Sequence, residues 1–247
     1  MAAHRIFWLG LYGLILAAWG GVWAMDRGLS AWRGLPPDLW RTLCEGAANA
    51  AIGPLLAMWA LMVAAMMLPS ALPAIRTYLE LPVERFGTAL VAGYLAVWAG
   101  AAVLGAGAQS LLARAGLLDG TGASLSAWLT GALLIGAGLY QFSAFKAACL
   151  AKCRMPLTRF MELWAPGRSA ALRMGLRMGA DCLGCCWALM ALAFVGGTMN
   201  LMWMGAATLL MTLEKLPGPG RHLTAPVGVA LVAGGIWALI KEGQWLI

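Results

Sequence analysis

Residues 51–75 read A-I-G-P-L-L-A-M-W-A-L-M-V-A-A-M-M-L-P-S-A-L-P-A-I, with no charged side chain. About 20 such residues suffice to cross the hydrocarbon core of a bilayer as a helix. Further apolar segments lie near 6–25, 86–113, 123–148, 183–213 and 225–240. The 247-residue chain is 62% hydrophobic and 11% charged, against roughly 25% charged residues in a soluble domain. Its mean hydropathy is +0.80. These features predict an all-α, polytopic transmembrane helical bundle of about six spans, with seven as the alternative, forming one integral membrane domain over 1–247. The 32 glycines suit close helix packing in lipid, where small residues let backbones approach.

The first segment follows Arg5 and ends at bulky Trp23, Asp26 and Arg27. A signal peptide has a shorter apolar core and a small-residue cleavage site, so this segment reads as a retained span. Residues 26–50, with Pro36 and Pro37, read as an interfacial loop. If every segment crosses once, Arg5, Arg76, Arg85, Lys146, Lys152, Arg154, Arg159, Arg168, Arg173 and Arg177 share one side, and Arg27, Arg33, Arg41, Arg114, Lys215 and Arg221 the other. The richer side is cytoplasmic by the positive-inside rule, which puts the N-terminus inside. The net charge of +7 is accounted for by these flanking loops, and no nucleic-acid-binding module is recognisable. Residues 154–178, rich in arginine, read as an amphipathic segment on the inner surface. Segment 183–213 is long for one crossing: unbroken it would run about 46 Å at 1.5 Å per residue, against a core of about 30 Å. A single tilted or kinked helix is the expectation, with a break at Gly196-Gly197 as the alternative.

Five of the six cysteines fall in two clusters, Cys149 with Cys153 and Cys182 with Cys185 and Cys186. On a helix, residues four apart share a face, so each cluster presents sulfur in one direction, at the cytoplasmic ends of the fourth and fifth segments. Free cysteine also serves as a small buried hydrophobe, but two clusters meeting at one membrane face suggest a site. Histidine is scarce, with only His4 and His222, whereas methionine numbers 15. Thiolate and thioether donors select Cu(I), zinc or iron–sulfur clusters. In the second segment Met58, Met62 and Met66 repeat every four residues with Met67 beside them, a stripe that reads either as core packing or as a thioether path for Cu(I). Gln141, Lys146, Asp181, Asn200 and Glu214 are the polar residues near membrane depth, where such groups mark function; Lys146, Asp181 and Glu214 are near enough to span ends to snorkel outward.

The motifs M-W-x-x-M-x-x-A-M-M-x-P at 58–69, Y-Q-x-x-x-x-K-x-x-C-L-x-x-C-R-x-P at 140–156, and G-x-x-C-x-G-C-C-W-x-L-M with G-x-M-N and E-K across 179–215 resemble a bacterial family catalogued as metal-binding integral membrane proteins, a domain of unknown function. The likeness covers roughly residues 50–220. It implies metal binding, with the motif positions falling here on Cys149, Cys153, Cys182, Cys185, Cys186, Met62, Met66, Met67, Asn200 and Glu214, and it brings no reaction with it. The leading expectation is a multi-pass protein of the bacterial inner (cytoplasmic) membrane that binds a soft metal, copper ahead of zinc or an iron–sulfur cluster. It would transport the metal or deliver it to a protein partner in a membrane complex. A membrane thiol–disulfide oxidoreductase and a non-catalytic accessory subunit are the competing readings, and a reducing cytosol argues against the first of these.

Overall fold

The structure, a computed structural model, describes residues 2–26, 52–81, 86–198 and 200–243. The interfacial loop expected over 26–50, with Cys44, and the positions Arg85 and Met199 lie outside the described residues. Helices account for nearly everything described: α1 (Ala2–Asp26), α2 (Ile52–Glu80), α3 (Gly87–Arg114), α4 (Ala127–Gln141), α5 (Ala144–Arg154), α6 (Pro156–Leu163), α7 (Arg168–Ala191), α8 (Ala193–Gly196), α9 (Leu201–Lys215) and α10 (Pro219–Gly243). Five are long and apolar enough to cross a membrane, and a sixth crossing results if the bent pair α4 and α5 counts as one.

Glycine determines which helices touch. A Cβ at Gly93 would run into the backbone of Leu172, and one at Gly175 into the carbonyl of Leu90. α3 and α7 therefore meet backbone to backbone, which larger side chains would prevent. A second such crossing joins α4 to α10, where Cβ atoms at Gly138 and Gly235 would lie 2.8 and 2.9 Å from the carbonyls of Gly228 and Gly131. α2 packs beside α3, with Trp59 over Gly105, and its methionines fill the core: Met58, Met62, Met66 and Met67 are all buried.

Two apolar segments differ from their sequence readings. Segment 123–148 is broken at Phe142, where α5 leaves α4 at 63°. Ser143 restarts the helix by accepting a hydrogen bond from Lys146 N at 3.1 Å, a cap of the usual serine type. Segment 183–213 is two antiparallel pieces rather than one tilted helix, and this corrects the expectation. Gly197 stops the first piece at φ +91°, a conformation that costs glycine little. Asn200 starts the second, its side-chain carbonyl accepting from Trp203 N at 3.1 Å. Trp203 packs on Gly196 and donates to the Leu192 carbonyl at 2.9 Å, and α9 then runs back beside α7 until Lys215 reaches Cys182. The reversal moves Lys215 and Arg221 to the end of the bundle that holds the other basic residues, not the opposite end as expected.

The turn is held by a polar chain at the far end. The Trp59 indole donates to Gln109 at 2.8 Å, the Gln109 amide donates to Thr198 at 3.1 Å, and Thr198 donates to the Thr121 carbonyl at 3.2 Å. Residues 154–178, expected as one surface segment, divide at Pro166-Gly167: α6 opens with Pro156 at its first position, and the rest forms the beginning of α7.

The backbone crossing has a direct test. Gly175→Ala places a methyl group into the Leu90 carbonyl and is expected to cost about 1–3 kcal/mol by overpacking, read as a lowered melting temperature in detergent. Gly100→Ala meets nothing within 4 Å and is expected to be neutral or stabilising, by up to about 1 kcal/mol. Equal melting temperatures for the two variants would show that α3 and α7 do not meet in this way.

Candidate metal centre

α7 carries Cys182, Cys185 and Cys186 on the side facing α3, α5 and α9. Their three sulfurs lie within 4.8 Å of one another, and all three residues are buried. The bend after α4 directs α5 at the same place, and Cys153 Sγ comes to 3.9 Å from Cys185 Sγ. Met67 of α2 closes the group, its sulfur 4.0 Å from Cys186 Sγ. Thiolates held 2.3 Å from one ion in a trigonal plane are about 4 Å apart, so closing these sulfurs on a soft ion requires shifts of under about 1 Å. The five described cysteines are free thiols.

Polar groups frame the sulfurs. The Tyr94 hydroxyl, beside the Gly93 crossing, donates to the Met67 carbonyl at 3.0 Å. That leaves its oxygen to accept from Cys182, 3.2 Å away. The Lys215 ammonium donates to Cys182 Sγ at 3.1 Å and to Ser70 Oγ at 2.8 Å. A metal–thiolate group held here would carry net negative charge, which this ammonium would partly balance. Neither Tyr94 nor Ser70 belongs to a recognisable motif, and Lys215 reads in the sequence as one half of an E-K pair. The two members of that pair in fact diverge.

Glu214 turns away to Lys146, at 2.8 Å, with the two side chains only 2% and 1% exposed. The expectation that both snorkel is corrected here: they neutralise each other inside the bundle. Asp181 does not snorkel either: its side chain is only 12% exposed and is held at the cavity wall by Lys152 and Arg159, each at 3.1 Å. Asn200 is the cap of α9, far from the sulfurs along that helix. Cys149 packs on α7 at Gly184, its sulfur 2.7 Å from where a Cβ there would stand, and it is not one of the three mutually close thiols. Met62 and Met66 lie buried further back along α2.

A cavity of about 200 Å³ leads to this group, with Cys153 and Cys182 in its wall and Lys152, Arg154, Arg159, Asp181 and Lys215 around it. Cys185 and Cys186 lie behind those two. Buried thiols backed by a thioether and a cation, in a helical bundle and reached by a cavity, form a donor set that could hold a soft metal ion. The chain belongs to the copper chaperone family PpoB2, whose model matches residues 56–238. No curated protein and no solved structure matches the chain.

The buried ion pair yields a stability prediction. Lys146→Met or Glu214→Leu alone leaves an uncompensated group inside the bundle and is expected to destabilise by about 3–5 kcal/mol, whereas the two together recover most of that loss. Thermal melts of the two single variants and the double variant in the same detergent check this. A double variant as unstable as the sum of the singles would contradict it.

Proposed function

We propose that the protein is a multi-pass protein of the bacterial inner membrane that takes up Cu(I) at Cys153, Cys182, Cys185 and Cys186 and passes it to a protein partner. The observation that carries this reading is the buried convergence of three thiols within 4.8 Å, with Cys153 and Met67 at its edges. Soft sulfur donors favour Cu(I) over hard cations, and the copper chaperone family to which the chain belongs fits that preference. Placement in the membrane is supported by the apolar helices, and a cytoplasmic sulfur end by the basic side chains gathered there.

Each residue then has a task that its position allows. Cys153 and Cys182, in the cavity wall, meet the ion first. Cys185 and Cys186 draw it inward, and each new copper–sulfur bond releases a thiol proton to the leaving ligand or to water. Lys215 offsets the charge of the thiolate site. Tyr94 holds Cys182 in place through its hydroxyl. Met67 offers a weaker neutral donor, and Met66, Met62 and Met58 continue that donor type along α2 as the route onward. Because the incoming and outgoing ligands are both soft, transfer proceeds by exchange of one sulfur at a time, with no change in copper oxidation state.

Anaerobic titration with Cu(I) against a competing chromophoric chelator tests the site. Cys185→Ser and Cys186→Ser are expected to lower retained copper at least tenfold, while Cys149→Ser leaves it within about twofold; equal retention by all three variants would sink the assignment. The route has its own test. Met62→Leu with Met66→Leu is expected to fold normally, since Leu–Met exchanges usually cost under about 1.5 kcal/mol, and to slow copper handover without changing zinc content. Reporter fusions between α6 and α7 are expected to be active only with a cytoplasmic reporter, and a periplasmic signal there reverses the orientation.

A further inference from the structure

We infer that the cavity in front of Cys153 and Cys182 receives copper as an anionic cuprous bis-thiolate complex of a small carboxylate-bearing thiol, not as the free ion. The inference rests on the proposed Cu(I) uptake and names the form in which the cargo arrives. Four cationic side chains line the recess, those of Lys152, Arg154, Arg159 and Lys215, against the single carboxylate of Asp181. A bare cuprous ion would be repelled by that surplus, whereas a bis-thiolate complex that carries its own carboxylates would be attracted and held.

Arg154 supplies the second observation. Its Nε donates to the Glu214 carbonyl at 2.9 Å, which fixes the guanidinium at the cavity wall. Its Nη2 is shielded from solvent and has no hydrogen-bond partner among the described residues. A buried guanidinium nitrogen without a partner is costly, and guanidinium groups pair with carboxylates in planar, bidentate fashion. A ligand carboxylate in the recess would satisfy it once a small rotation of the guanidinium turns Nη2 toward the cavity. Lys152 and Arg159 are engaged with Asp181, so among the described cations of the recess Arg154 is the one with a shielded N–H left unpartnered. The remaining wall, including Ala71, Phe160 and Met174, is apolar and accommodates the hydrocarbon part of such a ligand.

The chemistry balances without any redox partner. One copper–sulfur bond of the incoming complex breaks as one to Cys153 forms, and the cysteine proton leaves on the departing small thiol. A second exchange with Cys182 frees the second thiol in the same way. Copper remains Cu(I) throughout, and two protonated thiols depart for two cysteinyl bonds gained.

Stopped-flow transfer to the full-length protein in detergent decides the matter, comparing Cu(I) complexed by glutathione, which is anionic, with Cu(I) complexed by cysteamine, which is cationic. Electrostatic guidance of this kind is worth about tenfold or more in rate at low salt. The glutathione complex is therefore expected to load at least tenfold faster, with the advantage shrinking as salt rises. Arg154→Gln is expected to remove most of the advantage and Arg154→Lys to retain part of it, with the melting temperature of each variant showing that it is folded. Equal rates from the two complexes, or an Arg154→Gln protein that keeps the full preference, would overturn this inference while leaving Cu(I) uptake intact. A wild-type protein that accepts copper from neither complex would overturn both.

Discussion

The sulfur site exists because α3 and α7 touch without side chains between them. Gly93 and Gly175 let the two backbones meet, and that contact places Tyr94, one residue from the crossing, against Cys182, two turns beyond it. Gly179, between them on α7, continues the close approach, with a Cβ there only 3.0 Å from the Tyr94 carbonyl. Separating these helices by one methyl group would withdraw Tyr94 from both Met67 and Cys182, so the packing of α2 on the site depends on the same seam. The α4–α10 crossing obeys the same rule at a distance. It fixes the C-terminal end of α4, from which α5 turns toward the cysteines.

Charge is distributed so that the site keeps only what a thiolate cluster can use. Lys146 and Glu214 cancel in the interior, and Asp181 is shared by Lys152 and Arg159 at the cavity wall. Among the described residues, Lys215 alone directs its ammonium at a sulfur. Adjacent residues Glu214 and Lys215 thus serve separate partners on different faces of α9. A helix makes this possible because neighbouring positions project about 100° apart at 3.6 residues per turn.

The helical class and most of the segments were legible in the sequence because an uncharged run long enough to cross a bilayer satisfies its own backbone only by coiling into a helix. The cysteine pairing was legible in outline: four-residue spacing put Cys182 with Cys186, and the second cluster brought Cys153 to them. Cys149 stands outside the close thiols, since the spacing that aligns it with Cys153 says nothing about the glycine it meets on α7. The turn at Gly197 was visible as a Gly-Gly pair followed by Asn200, a stop and a cap, but the apolar run on either side outweighed that signal. The bend at Phe142 carried only the Ser143 cap. Ser70, Tyr94 and Lys215 could not be read, because their roles arise from contacts across 145, 88 and 33 residues of chain, and no local pattern encodes those.

The reversal of α9 also sets the order in which the protein acquires its function during synthesis. The three clustered cysteines emerge together on α7, yet the ammonium that accompanies them is the last residue of α9, so a nascent chain synthesised only through Ala191 displays its thiols without that cation. The cavity wall is likewise unfinished until Leu216 and Pro217 have followed. A ribosome halted anywhere between α7 and α9 would leave an intermediate whose sulfurs are exposed to oxidants and to stray metal ions. Protection of those thiols during biogenesis therefore falls to whatever guards the nascent chain, and the site is assembled only once Pro217 is in place.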